Sequence, residues 1–190
     1  ANREHQKNVA VLSRQYCLVE ALKKMAYLIG LHHDDGKMQD LWQQYFLSKI
    51  RGKDTSGRET ADHSTLGGLI VNEYEPGSML SEMVQIAIFT HHGLADCVSV
   101  QDGVPLLAKR ARKYDREEIL RMKDICEQEM PEENMKKLCQ EAREDLNKVL
   151  RQIKELTDSE KRKEQYGNKN FYLGMCERLL FSVLADADVR

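Results

Sequence analysis

The sequence has no run of about 18 consecutive apolar residues, which excludes a membrane-spanning helix. It has no C-x-x-C pair. Its five cysteines, Cys17, Cys97, Cys126, Cys139 and Cys176, are odd in number, so neither a zinc knuckle nor a disulfide framework is expected. Reduced thiols packed as small apolar side chains fit better. Proline occurs three times, and alternating β-branched runs are few, which points to an all-α chain. There is no excess of positive charge: 29 Lys and Arg against 31 Asp and Glu leave a net charge of −2. Bulk attraction to nucleic acid is therefore not expected, and any phosphate contact must come from local clusters or from cations. No G-x-x-x-x-G-K-[ST] string occurs, so the chain carries no ATP-driven motor. The opening residues, ANREHQKNVA, lack an apolar core, which predicts no signal peptide and a cytoplasmic location.

What is present suits one domain over residues 1–190, with 41% hydrophobic residues to build its core. The periodicity predicts helix over about 4–32, as one helix or as two with a break near Ser13. A second helix spans Lys37 to about Lys49, with Met38, Leu41, Trp42, Tyr45 and Phe46 at i, i+3, i+4, i+7 and i+8. Residues 50–60 read as a basic loop, and a further helix follows over about 62–72. Ser78 caps another that runs through His92. After a loop at 96–105, a charged helical stretch covers 106–129, and Pro131 suits the first turn of the next helix. A polar connector over 157–168 precedes a last apolar helix from Phe171 to Asp188.

The six histidines, His5, His32, His33, His63, His91 and His92, all lie in the first half of the chain. Five of them stand in short polar strings: HHDDGK at 32–37, DHST at 62–65 and THHG at 90–93. The acidic string ADAD closes the last helix at 185–188. Imidazole is the commonest neutral metal ligand, and a carboxylate can bridge two cations. Several His with two Asp suit borderline metals such as Mn, Fe, Co or Ni, and not Ca, which prefers oxygen alone.

The order His33-Asp34-x-Gly36-Lys37 resembles the defining string of the HD superfamily of metal-dependent phosphohydrolases. EHQKNVA, TADHSTLGG, HHG and RLLFSVLADAD, in that order along the chain, resemble one branch of it. That branch is the HD nuclease domain of the CRISPR-associated helicase–nuclease of type I interference systems. The resemblance implies an all-α HD-domain helical bundle with a dinuclear metal site and a charged helical insertion at about 104–165. It implies a phosphodiester hydrolase acting on single-stranded DNA. Its partners would be a helicase, downstream or on a separate polypeptide, and the CRISPR RNA-guided surveillance complex. The alternative is an HD-superfamily phosphohydrolase acting on nucleotides or cyclic nucleotides.

Carried over residue by residue, the resemblance implies that His5, His33, Asp34 and Asp188 hold one divalent cation. Asp34 then bridges to a second, held also by His63, His91 and His92; the cations would be Mn, Co, Ni, Fe or Mg. Asp34 and Lys37 are the expected catalytic residues, with Lys37 beside a phosphate oxygen. Ser64 and Thr65 are expected to donate to the substrate backbone. Ala187-Asp188 matches the family's closing string, and Ala185-Asp186 also reads that way. His32 and Asp35 stand where the family has apolar residues. His32 is expected at the surface or behind the ligands, and Asp35 facing solvent or holding Lys37. Lys49, Arg51, Lys53 and Arg58 offer one basic path for a strand, and the run from Lys109 to Arg116 offers a second or a solvated face. Cys97, just past HHGLAD, is read as a packed thiol, not a nucleophile.

Overall fold

The computed structural model describes residues 2–52, 62–93 and 103–189. Lys53, Arg58 and Cys97 lie outside them. Among the described residues there are ten α-helices and no strand, so the fold is all-α. No helix among them is long and apolar enough to cross a membrane.

Helix α2 (Lys23–His32) is the centre of the bundle. It buries Met25, Ala26, Leu28, Ile29, Gly30, Leu31 and His32, so it is covered on nearly every side. Helix α1 (Asn2–Tyr16) lies along it and buries Gln6, Val9, Ala10 and Ser13, the i, i+3, i+4, i+7 stripe of an amphipathic helix. The break between them falls at Cys17–Val19, not near Ser13, which sits buried inside α1. A 3-10 turn at Asp35–Met38 leads from α2 to helix α3 (Asp40–Ile50). The apolar spacing of α3 is as the sequence predicts, yet none of its residues is buried.

Helices α4 (Leu66–Tyr74) and α5 (Met79–Thr90) form an antiparallel pair against α2. The residues 62–65 stand before α4 and not within it. Ser78 caps α5 as expected, its Oγ accepting from the Ser81 amide at 3.1 Å. The charged stretch is two helices, α6 (Leu106–Ala111) and α7 (Arg116–Glu127), divided where Asp115 accepts from the Glu118 amide at 2.8 Å. Pro131 immediately precedes α8 (Glu132–Thr157). Met122 and Cys126 of α7, with Met135, Cys139, Ala142 and Leu146 of α8, join the same hydrophobic cluster as α1 and α2. The expected connector contains a short helix, α9 (Glu160–Tyr166). Helix α10 (Lys169–Asp188) crosses α1, α2 and α5, burying Leu180, Val183, Leu184 and Ala187. Burying each large aliphatic side chain contributes about 1.5–3 kcal/mol, and these contacts bring the C-terminal end of α10 onto the start of α1.

Candidate metal centre

Four segments converge at one end of the bundle: the start of α1, the end of α2, the 62–65 stretch, and the end of α5, with the last turn of α10 closing the gap. His33 immediately follows α2 and is fully buried. Its Nδ1 donates to the Gly30 carbonyl at 2.7 Å, which fixes the ring and turns Nε2 outward. That Nε2 lies 3.1 Å from Asp188 Oδ1 and 3.3 Å from Asp34 Oδ2. His5 Nε2 lies 3.0 Å from the same Asp188 oxygen and 3.9 Å from Asp34 Oδ2. His5, His33, Asp34 and Asp188 thus offer four ligand atoms within 4.8 Å of one another.

A second set lies on the other side of Asp34. His91 is buried, and its Nδ1 donates to the Ile88 carbonyl at 2.6 Å. His63 Nε2 is 3.9 Å from Asp34 Oδ1 and 2.6 Å from His92 Nε2. Asp34, His63, His91 and His92 also offer ligand atoms within 4.8 Å of one another. Asp34 belongs to both sets. Of the two closing acids, Asp188 faces this cluster, while Asp186 is exposed.

The electrostatics divide along the same line. Burial alone would lower the His33 pKa, but its contacts with Asp188 and Asp34 outweigh that and raise it to about 9. Burial opposes ionisation of Asp34, yet His33 and Lys37 hold it well below the usual carboxylate range. The contact with His33 likewise keeps Asp188 low against its burial. His91 is pushed down to about 4, first by burial, so it stays neutral with a bare Nε2.

Whether cations fit can be judged from the atoms left over. Asp34 Oδ1 and His91 Nε2 are buried and have no hydrogen-bond partner. Leaving such groups unpaired costs about 1–3 kcal/mol each, and both belong to the second ligand set. Two imidazole nitrogens, His63 Nε2 and His92 Nε2, face each other at 2.6 Å in that set. A borderline divalent cation would suit all of these atoms at once.

Lys37 Nζ sits 2.5 Å from Asp34 Oδ2, beside the cluster. Ser64 and Thr65, expected to donate to a substrate backbone, direct their hydroxyls to a neighbouring carboxylate. Their hydroxyls donate to Asp62, at 3.0 and 2.7 Å, and both residues are buried. Asp62 was not singled out from the sequence. It is the anchor of this stretch, also taking Lys113 Nζ at 2.6 Å, while Tyr114 donates to its carbonyl at 2.7 Å. Its carboxyl falls to about 2, because Lys113, Thr65 and Ser64 outweigh its burial. Arg110 Nη1 donates to Ser64 at 2.8 Å. Two cations of the 109–116 run therefore hold the His63 segment in place. Lys49 and Arg51 are exposed at the end of α3.

His32 takes the place expected behind the ligands, whereas Asp35 takes neither of its two expected places. Both are buried, and neither faces solvent. His32 Nδ1 bonds Asp35 Oδ2 at 2.5 Å, while Asp35 Oδ1 accepts from Gln6 at 2.8 Å and Arg3 at 3.3 Å. Lys37 goes to Asp34, not to Asp35. Cys126 completes a third close group with His32 and Asp35. The Arg3 guanidinium already neutralises that carboxylate, so the group reads as a buried ion-pair network beneath the ligands.

Glycine makes two of these approaches possible. A Cβ on Gly36 would lie 2.5 Å from the His63 backbone, and one on Gly67 would lie 1.7 Å from the His32 carbonyl oxygen.

No protein-family model, curated protein or solved structure matches this chain. What the site does rests on its own chemistry.

Proposed function

We propose that this chain is a metal-dependent nuclease that hydrolyses phosphodiester bonds of single-stranded DNA, the nuclease part of type I CRISPR interference in antiviral defence. The observation that carries the reading is the pair of His/Asp ligand sets joined through Asp34. His5, His33, Asp34 and Asp188 would hold one divalent cation, and Asp34, His63, His91 and His92 the other. Bound there, two such cations supply Lewis acidity toward a phosphodiester and a nucleophilic water at neutral pH.

The chain's own residues do the positioning. The Gly30 and Ile88 carbonyls fix the tautomers of His33 and His91, so that each Nε2 is presented to the cluster. Asp34 stays ionised throughout the physiological range, because His33 and Lys37 face it. Lys37 is placed to give its charge to a phosphate oxygen entering beside Asp34. Exposed Lys49 and Arg51 offer charge to the strand's backbone. The helicase and the RNA-guided surveillance complex are the partners that this role requires.

The test is a metal screen on single-stranded circular DNA, duplex DNA and a nucleoside 5′-monophosphate, with Mn, Co, Ni, Fe and Mg in turn. The reading expects the circle to be opened with little sequence preference and the duplex to be cut poorly. Fast phosphate release from the monophosphate with an intact circle would reject it in favour of a nucleotide phosphohydrolase.

A further inference from the structure

Helix α3 is amphipathic, yet none of its residues is buried. Phe46 is 44% exposed, Leu41 54% and Ile50 67%, and Trp42 and Tyr45 are half-buried. Leaving so much aromatic surface uncovered opposes the hydrophobic effect and marks a contact surface. Trp42 and Phe46, one turn apart, stack with centroids 5.1 Å apart and planes 13° from parallel. The Trp42 ring meets the His63 ring edge-on at 6.0 Å, so the stack begins at the candidate metal cluster. Lys37 Nζ lies 6.0 Å from the Trp42 centroid, and Lys49 Nζ lies 5.8 Å from that of Tyr45. Arg51 follows at the far end, and the helix extends about 16 Å at 1.5 Å per residue. The acid on this helix, Asp40, lies at its start, 3.7 Å from Arg121.

We propose that Trp42, Tyr45 and Phe46 form a stacking platform for unpaired bases of a single-stranded nucleic acid entering the metal centre, with Lys37, Lys49 and Arg51 beside its phosphates. This rests on the nuclease reading above and deepens it. Flat π-faces interleaved with cations suit bases and phosphates together, because every base has a face to stack and every linkage a charge. Paired bases have no free face, so the platform itself selects for single strands. It also leaves sequence unread, since stacking requires no base-edge hydrogen bonds.

Trp42 is the chain's sole tryptophan, so tryptophan fluorescence reports on this surface alone. The full chain is titrated in chelator, where a strand is held and not cut, with a thymidine 12-mer and with an abasic 12-mer of equal charge. The thymidine strand is expected to quench Trp42 saturably and to bind at least about 5-fold more tightly than the abasic one. Read by the anisotropy of a dye-labelled thymidine strand, since the Trp42 variants carry no tryptophan, Trp42→Ala and Phe46→Ala should each weaken binding by about 5- to 150-fold, with Trp42→Phe restoring most of it. None of these side chains is buried, so circular dichroism should show the variants folded. Equal affinity for the two strands without quenching overturns the platform. So does concentration-dependent self-association that changes Trp42 emission in the absence of any strand. Because the readout is binding, a chain that binds the thymidine strand and cleaves nothing contradicts the nuclease reading alone. A chain that cleaves strands but binds the abasic one equally well contradicts the platform alone.

Discussion

Asp34 and Asp35 are neighbours in sequence that serve different networks. Asp34 stands between the two ligand sets, whereas Asp35 takes Arg3, Gln6 and His32. Replacing Asp35 by alanine leaves the partly buried Arg3 guanidinium and the buried His32 imidazole without their carboxylate. Urea unfolding should then show a loss of about 3–5 kcal/mol, and an unchanged midpoint would contradict this account of the network. The string HHDDGK announces Asp34 through its chemistry. It is silent on Asp35, because the partners Arg3 and Gln6 lie some thirty residues away in sequence and are joined to it only by the packing of α1 on α2. The protonation of His33 has its own consequence. Its pKa in the metal-free fold, about 9, lies above the ordinary histidine value, so its stabilising contribution is full below about 6.5 and is lost as pH rises through 9. A cation binding at Nε2 must displace that proton, whereas His91 is already neutral above about pH 4. Calorimetry in buffers of different ionisation enthalpy should therefore find about one proton released per chain on metal binding near pH 7.5. An absence of proton release would contradict a protonated His33 that gives up its proton to become a ligand.

The helices themselves were largely legible, and the places where they were not share a cause. The stripe of α1 and the cap at Ser78 are local signals, and they appear where the sequence places them. The break at Cys17–Val19 carries no glycine or proline, so nothing local marks it. Helix α9 has no apolar stripe to be read. The 62–65 stretch is held outside α4 by Asp62, Lys113 and Tyr114, contacts that span about fifty residues. The spacing in α3 was legible too, but a periodic stripe does not say whether it meets protein or something else. Close approach between elements gives a further test. Gly36→Ala would drive a Cβ to 2.5 Å from the His63 backbone and push the 62–65 stretch away from Asp34. Such overpacking costs about 1–3 kcal/mol. The measurement is metal binding: affinity for the cation held by His63, His91 and His92 should fall more than affinity for the one held by His5, His33 and Asp188. Equal loss at both would place the effect of Gly36 elsewhere.

Over the whole molecule, a net charge of −2 means that the proposed strand binding would depend on a local basic path and not on overall attraction. Replacing Lys49, Arg51, Lys53 and Arg58 together should flatten the salt dependence of strand affinity, by up to about 3 in the log–log slope if all four touch phosphate. Metal content should stay the same. The fold's larger contribution is convergence, since it draws His5 from one end of the chain and Asp188 from the other into one cluster with Asp34. The central claim is therefore that Asp34 is shared by two cations, and elemental analysis tests it most directly. The wild-type chain, equilibrated with Mn, Co or Ni and freed of excess, should carry two ions. Asp34→Ala should carry none tightly bound, while remaining folded by circular dichroism. A wild-type chain with no bound ion, or an Asp34→Ala chain that keeps both, would contradict the account.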